Sequence, residues 1–193
     1  MPIDLSVMNW FNAPPLAEMR NGRLCVRSGD KTDFWQGTYY GFYRDDGHFL
    51  HQLRRGDFTA TVTFTGRYLH LYDQAGLMIR YDATRWIKCG VELTDGAKHF
   101  SVVATNGHSD WSAFKLDHDF AAMSVRVTRN GDAMFIQYST DRMPARRMAR
   151  LAYFDPALTD LAIGPMFCSP QRDGFEAEFL NFNVTDPLSR DIH

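Results

Sequence analysis

From Gln74 to Leu93 the chain alternates with the two-residue period of a strand that buries one face. Ala75, Leu77, Ile79 and Tyr81 share one parity, and Gln74, Gly76, Met78 and Arg80 the other. After a short break, Ile87, Cys89, Val91 and Leu93 are apolar and interleave with Trp86, Lys88, Gly90 and Glu92. The pattern predicts a hairpin with one face in a core. Its second face carries Gln74, Met78, Arg80, Trp86, Lys88 and Glu92. If Ala83 to Arg85 form the loop, Arg80 falls opposite Lys88 and Gly76 opposite Glu92. Two cations directly opposed are unfavourable on a bare sheet. A nearby carboxylate, or an anionic or polar ligand, would relieve them.

The same period recurs along the chain. Further strands are expected over 24–27, 39–43, 49–53, 58–65, 100–105, 111–116, 123–129, 133–139, 148–154, 161–164 and 175–184. Asn21-Gly22, Asp45-Asp46-Gly47, Asp95-Gly96, Asn106-Gly107, Asn130-Gly131 and Asp173-Gly174 punctuate them with turn chemistry. Helical signal is poor: Arg142 to Arg150 suits a short turn, and Asp155-Pro156-Ala157-Leu158 one helical turn. No Pro/Ser linker and no internal repeat divides the chain. The expectation is all-β: one domain over residues 1–193, about thirteen strands in two stacked antiparallel sheets. That strand number exceeds an immunoglobulin-type sandwich and points to a jelly roll of the legume-lectin and glucanase type.

Length and composition are consistent with this. A chain of 193 residues suits one large β-sandwich, and 14% aromatic residues favour strands. The formal net charge of -2, with basic residues scattered, argues against a nucleic-acid footprint. The short cluster Arg146, Arg147 and Arg150 reads as a solvated loop or strand edge. Three widely spaced cysteines, Cys25, Cys89 and Cys168, read as reduced buried thiols rather than a disulfide or zinc framework. No signal-like segment or apolar run of spanning length appears, so the expectation is a cytoplasmic protein without membrane partners.

Four motifs follow one another in order: Thr32-Asp33-Phe34-Trp35, Tyr72-Asp73-Gln74-Ala75-Gly76-Leu77-Met78, Trp86-Ile87-Lys88-Cys89-Gly90-Val91-Glu92 and Ser109-Asp110-Trp111-Ser112. With Asn9-Trp10-Phe11-Asn12-Ala13-Pro14 and Gly164-Pro165-Met166-Phe167-Cys168-Ser169-Pro170, they span nearly the whole chain. In these motifs the chain resembles the uncharacterised family whose members are labelled regulation of enolase protein, classed among concanavalin A-like domains. The resemblance implies a concanavalin A-like jelly-roll sandwich. That fold also serves lectins and glycoside hydrolases, which raises carbohydrate as a ligand class by analogy alone. The label also leaves open a protein partner.

The candidate chemistry lies on the hairpin's second face. Strands 99–105, 123–129 and 133–139 extend it, so one concave sheet is expected to show Arg80, Lys88, Glu92, Arg126 and Gln137 with Gln74 and Trp86 among them. Trp35, beside Asp33 in a Gly/Asp-rich loop, is placed at the rim. Aromatic platforms beside fork-like polar groups suit a carbohydrate or small polar ligand. A solvated sheet face with scattered charges is the plainer reading of the same pattern. Glycoside hydrolysis needs two carboxylates; Glu92 is the candidate, with Asp33, Asp73 or Asp110 as partner. Glu176 and Glu178 read as solvated. His108-Ser109-Asp110 holds triad residue types, but neighbours on a strand point to opposite faces. No metal site and no cofactor fingerprint is expected; Asp45-Asp46-Gly47 and Asp117-His118-Asp119 fall short of a calcium loop.

Overall fold

The computed structural model describes residues 3–188. It is almost wholly β, with one 3-10 turn at Leu5–Val7. In chain order the strands are β1 (Asn9–Phe11), β2 (Leu16–Arg20), β3 (Arg23–Arg27), β4 (Phe34–Gln36), β5 (Tyr43–Asp45), β6 (His48–Arg55), β7 (Phe58–Gly66) and β8 (Gln74–Asp82). They continue with β9 (Arg85–Thr94), β10 (Ala97–Asn106), β11 (His108–Lys115), β12 (Met123–Asn130), β13 (Ala133–Thr140), β14 (Arg147–Tyr153), β15 (Asp160–Cys168) and β16 (Glu176–Thr185).

Two seven-stranded antiparallel sheets stack as a concanavalin A-like jelly roll. The first runs β1-β6-β15-β8-β9-β10-β11, and the second β14-β13-β12-β7-β16-β3-β2. A two-stranded ribbon, β4-β5, stands apart from both. Strand neighbours far apart in sequence, such as β6 with β15 and β7 with β16, give the roll its long connections. The expected thirteen segments become sixteen strands. β1 and β4, three residues each, are too short to show a period, β2 is an edge strand with no buried residue, and 39–43 is mostly the ribbon tip. Residues 142–146 form no helical turn, whereas Asp155–Leu158 does turn, with Leu158 N–H donating to the Asp155 carbonyl.

The hairpin's apolar parity lies in the main core. Ala75, Leu77, Ile79, Ile87, Cys89 and Val91 pack with Phe64, Val125, Val127, Ile136 and Phe179 of the second sheet. The hairpin's register differs from the expected one. Arg80 lies opposite Trp86, Met78 opposite Lys88 and Gly76 opposite Gly90. Asp82 is the cause. Its carboxylate accepts the Thr84 N–H at 2.9 Å and pairs with Arg85, which closes a two-residue tip and bulges Tyr81 out of the ladder. The net slip is two residues, so parity survives, but the two cations are not opposed.

Candidate functional site

Most of the hairpin's second face is covered. Residues 28–47, including the β4-β5 ribbon, cross it as a strap. Phe34, Trp35, Phe49, Met78, Trp86, Val103, Met166 and Cys168 close a second apolar core beneath that strap. Trp86 is fully buried, edge-on to Phe34 at 6.3 Å, with its indole N–H on the Ala83 carbonyl. It is therefore a structural anchor and not an aromatic platform, contrary to the sequence expectation.

The charges on this face are neutralised by acids of the strap. Arg80 holds Asp45 through two bonds, 2.7 and 2.8 Å, and its guanidinium lies 4.5 Å from the Phe11 ring centre. Lys88, only 3% exposed, donates to Asp33 Oδ1 at 3.0 Å. The same oxygen accepts the Phe34 N–H at 2.7 Å and lies 3.8 Å from Cys168 Sγ. Burial lowers the Lys88 pKa, but Asp33 and the nearby Glu92 more than restore it, above the ordinary lysine value. Arg80 is thus a strap clamp, while Lys88 reaches the site. Asp46 is taken up by Arg44, so the Asp45-Asp46-Gly47 carboxylates are engaged by arginines.

Arg126 and Gln137 belong elsewhere, a second correction. They sit on β12 and β13 of the other sheet, bonded to each other on its outer face. Parity along a strand tells which residues share a face, but not which of two sheets the strand joins.

A pocket of about 190 Å³ opens where the ribbon leaves the first sheet. Asp33, Gln74, Lys88 and Glu92 supply its polar lining. Trp35, Tyr40, Phe42, Tyr72 and Trp111 supply aromatic walls, with Val103, Pro170 and Gln171 completing it. Trp35 is held by its indole N–H on the Thr38 carbonyl, and Trp111 by its own on Ser101 Oγ, each at 3.0 Å. The Tyr40 and Tyr72 hydroxyls meet at 3.3 Å. That bond, then burial, pushes the Tyr72 hydroxyl up to about 12. Tyr39 and Tyr72 both take the left-handed backbone conformation, costly for bulky side chains, with φ of 61° and 65°.

Sequence reading placed Trp35, Gln74, Lys88 and Glu92 here but missed Tyr40, Phe42 and Tyr72, which lie in loops without a period. Trp111, part of the Ser109-Asp110-Trp111-Ser112 motif, is a wall of the pocket. In His108-Ser109-Asp110 the Ser109 hydroxyl accepts from the Gln36 N–H, while Asp110 pairs with Arg150 across the sandwich edge. Glu176 and Glu178 are surface partners of Arg67 and Arg23.

Glu92 is the unusual group. It is 5% exposed and in the pocket lining. Burial pushes its carboxyl above the usual carboxylate range, and Asp33 adds to this. Lys88 and the donors of Ser101 and Trp111 only partly reverse the shift. A folded-state pKa above the unfolded one gives stability that is present at low pH and lost as pH rises through the folded value. Glu92→Gln is therefore expected to be at least as stable as the parent near pH 7. The gap in midpoint should narrow towards pH 4 in urea titrations. A variant less stable than the parent at pH 7 would show that the carboxylate is a net stabiliser.

The chain is similar to several known proteins. Residues 10–187 match the model of a family described as "Protein of unknown function (DUF1349)". "Regulation of enolase protein 1" of Saccharomyces cerevisiae is 40% identical over 190 residues, 98% of this chain and 95% of that protein. A crystal structure of a functionally unknown protein from Saccharomyces cerevisiae superposes with a TM-score of 0.90 at 39% identity, covering 97% of this chain and all of that one. Xylan beta-1,4-xylosidase from Bacillus halodurans superposes at 0.68 with 14% identity, covering 93% of this chain but 39% of the enzyme. At that identity the likeness is one of fold.

Proposed function

The chain belongs to the family described as Protein of unknown function (DUF1349), and from that premise we propose that its pocket binds a single sugar ring or a sugar-derived ligand without turning it over. The observation that carries this reading is a polar base, Asp33, Lys88, Glu92 and Gln74, under aromatic walls from Trp35, Trp111 and Tyr40. Aromatic faces meet the CH faces of a pyranose, while a few fixed polar groups take its hydroxyls. The volume of about 190 Å³ is well below the roughly 300–1,000 Å³ of sites for drug-sized ligands. It suits one ring, at a chain end or free. The strained backbone of Tyr72, which lines the pocket, supports the reading, because such strain gathers at functional sites.

A second reading is a glycoside-processing enzyme. It is favoured by two carboxylates, Asp33 and Glu92, flanking Lys88, with Glu92 biased towards its protonated form. Binding is preferred because Asp33 is already engaged by the Phe34 N–H and Lys88. That leaves it poorly placed to attack a sugar or activate water.

Calorimetry against a monosaccharide panel tests the proposal. Trp35→Ala should weaken binding about threefold to tenfold through the lost ring face. Glu92→Gln should weaken it about tenfold to a hundredfold through the lost charge-assisted bond. Absence of saturable binding at millimolar sugar would sink the proposal. Hydrolysis of aryl glycosides that disappears in Glu92→Gln would favour the enzyme.

A further inference from the structure

The outer face of the second sheet carries an unbalanced pair of cations. Along β12, Val125 and Val127 enter the core, so Ser124 and Arg126 point outward. Arg126 is flanked by Thr61 on β7 and Gln137 on β13, and Ser124 by Thr63 and Ser139. One strand further, Asn183 and Asn181 of β16 lie beside Thr61 and Thr63. The row is polar, and its only formal charge is Arg126. Gln137 Oε1 accepts from Arg126 Nε at 3.0 Å and Nη2 at 2.8 Å, which fixes the plane of the guanidinium.

Arg146, just before β14, arches onto the same face. Its Nη2 donates to Ser124 Oγ at 3.3 Å, and its Nη1 is buried with no partner. Neither arginine has a carboxylate partner among the described residues, although most other arginines of the protein do. Burial lowers the pKa of both, and Arg126 lowers that of Arg146 further. Arg146 lies in the loop before β14, the edge strand of the second sheet, and is half-buried there. Two guanidiniums on one face without a carboxylate repel each other, and an anion held between their exposed nitrogens would offset that repulsion.

We propose that Arg126 and Arg146 hold the dianionic phosphate group of a small molecule on the outer face of the second sheet. Two uncompensated charges match a dianion better than a carboxylate. Fork-shaped donors suit phosphate oxygens, and the hydroxyls and amides of Ser124, Thr61 and Asn183 stand ready for the remaining ones. The site is on the opposite sheet from the strap and pocket, and does not depend on the sugar reading.

The test uses the full chain with inorganic phosphate, glycerol 3-phosphate and acetate, each against potassium chloride at matched ionic strength. Saturable binding by calorimetry is expected for the first two and not for acetate. Arg126→Gln and Arg146→Gln should each weaken it about tenfold, the loss of one charge-assisted contact. Arg146→Lys should recover part of it. Binding of the glycerol ester should tighten as pH rises through about 6, where the monoester gains its second charge. Tighter glycerol 3-phosphate than inorganic phosphate assigns the natural ligand to esters, and the reverse to the free ion. Arg146 lies in a loop, so its variant remains informative if Arg126→Gln fails to fold. Acetate binding as tight as phosphate, or unchanged phosphate affinity in both glutamine variants, overturns the proposal.

Discussion

Lys88→Met is expected to lower the unfolding free energy by about 3–5 kcal/mol, as does removal of one partner from a buried ion pair. The variant leaves Asp33 beneath the strap with its Phe34 N–H bond but no cation. One further result should accompany it. Adding Asp33→Asn should restore a large part of the loss, since the orphaned charge is then gone. Urea denaturation of the four members of the cycle measures both. A loss below about 1 kcal/mol would mean that water reaches Asp33 freely and that the strap is not clamped there.

Gly76→Ala is expected to cost at least about 3 kcal/mol, the upper end for forcing atoms into a packed interior. Gly76 faces Gly90 across β8 and β9, and a Cβ on either would overlap the facing strand's carbonyl, that of Cys89 or of Ala75. The obstacle is backbone, which has no rotamer to yield. Gly22→Ala is the useful contrast. Nothing lies within 4 Å of its Cβ position, and only the left-handed φ of 76° is strained, so about 1–2 kcal/mol is expected. Equal losses in the two variants, from thermal or urea midpoints, would remove the steric account of the glycine pair.

Much of this architecture can be read in the alternation of Gln74 to Leu93, because burial of a sheet face imposes a period of two whatever the register. The register itself could not be read. It turns on Asp82, whose carboxylate shortens the hairpin tip. The fate of Arg80 and Lys88 was half visible: opposed cations demanded an acid, and Asp45 and Asp33 supply it from a strap 35 and 55 residues away in sequence. No local pattern encodes such a partner. For the same reason the sequence suggested an open sheet where a second apolar core lies, and gave Trp86 a role its burial rules out. Trp35 and Glu92 were recognisable by residue type and neighbourhood. Tyr40 and Tyr72 were not, since loop aromatics that converge on a pocket carry no period.

The order of strands sets a condition on how the molecule is made. β15 is third in the first sheet and β16 fifth in the second. β15 and β16, the latest in chain order among the described residues, are thus interior members of the two sheets, and neither sheet is continuous without them. A nascent chain that has released only β1 to β14 presents two split half-sheets with unpaired edges on β6, β8, β7 and β3. Closure of such long-range pairings is slow, and exposed edges invite association. Those four edges stay unpaired until β15 and β16 have been made and have docked between them.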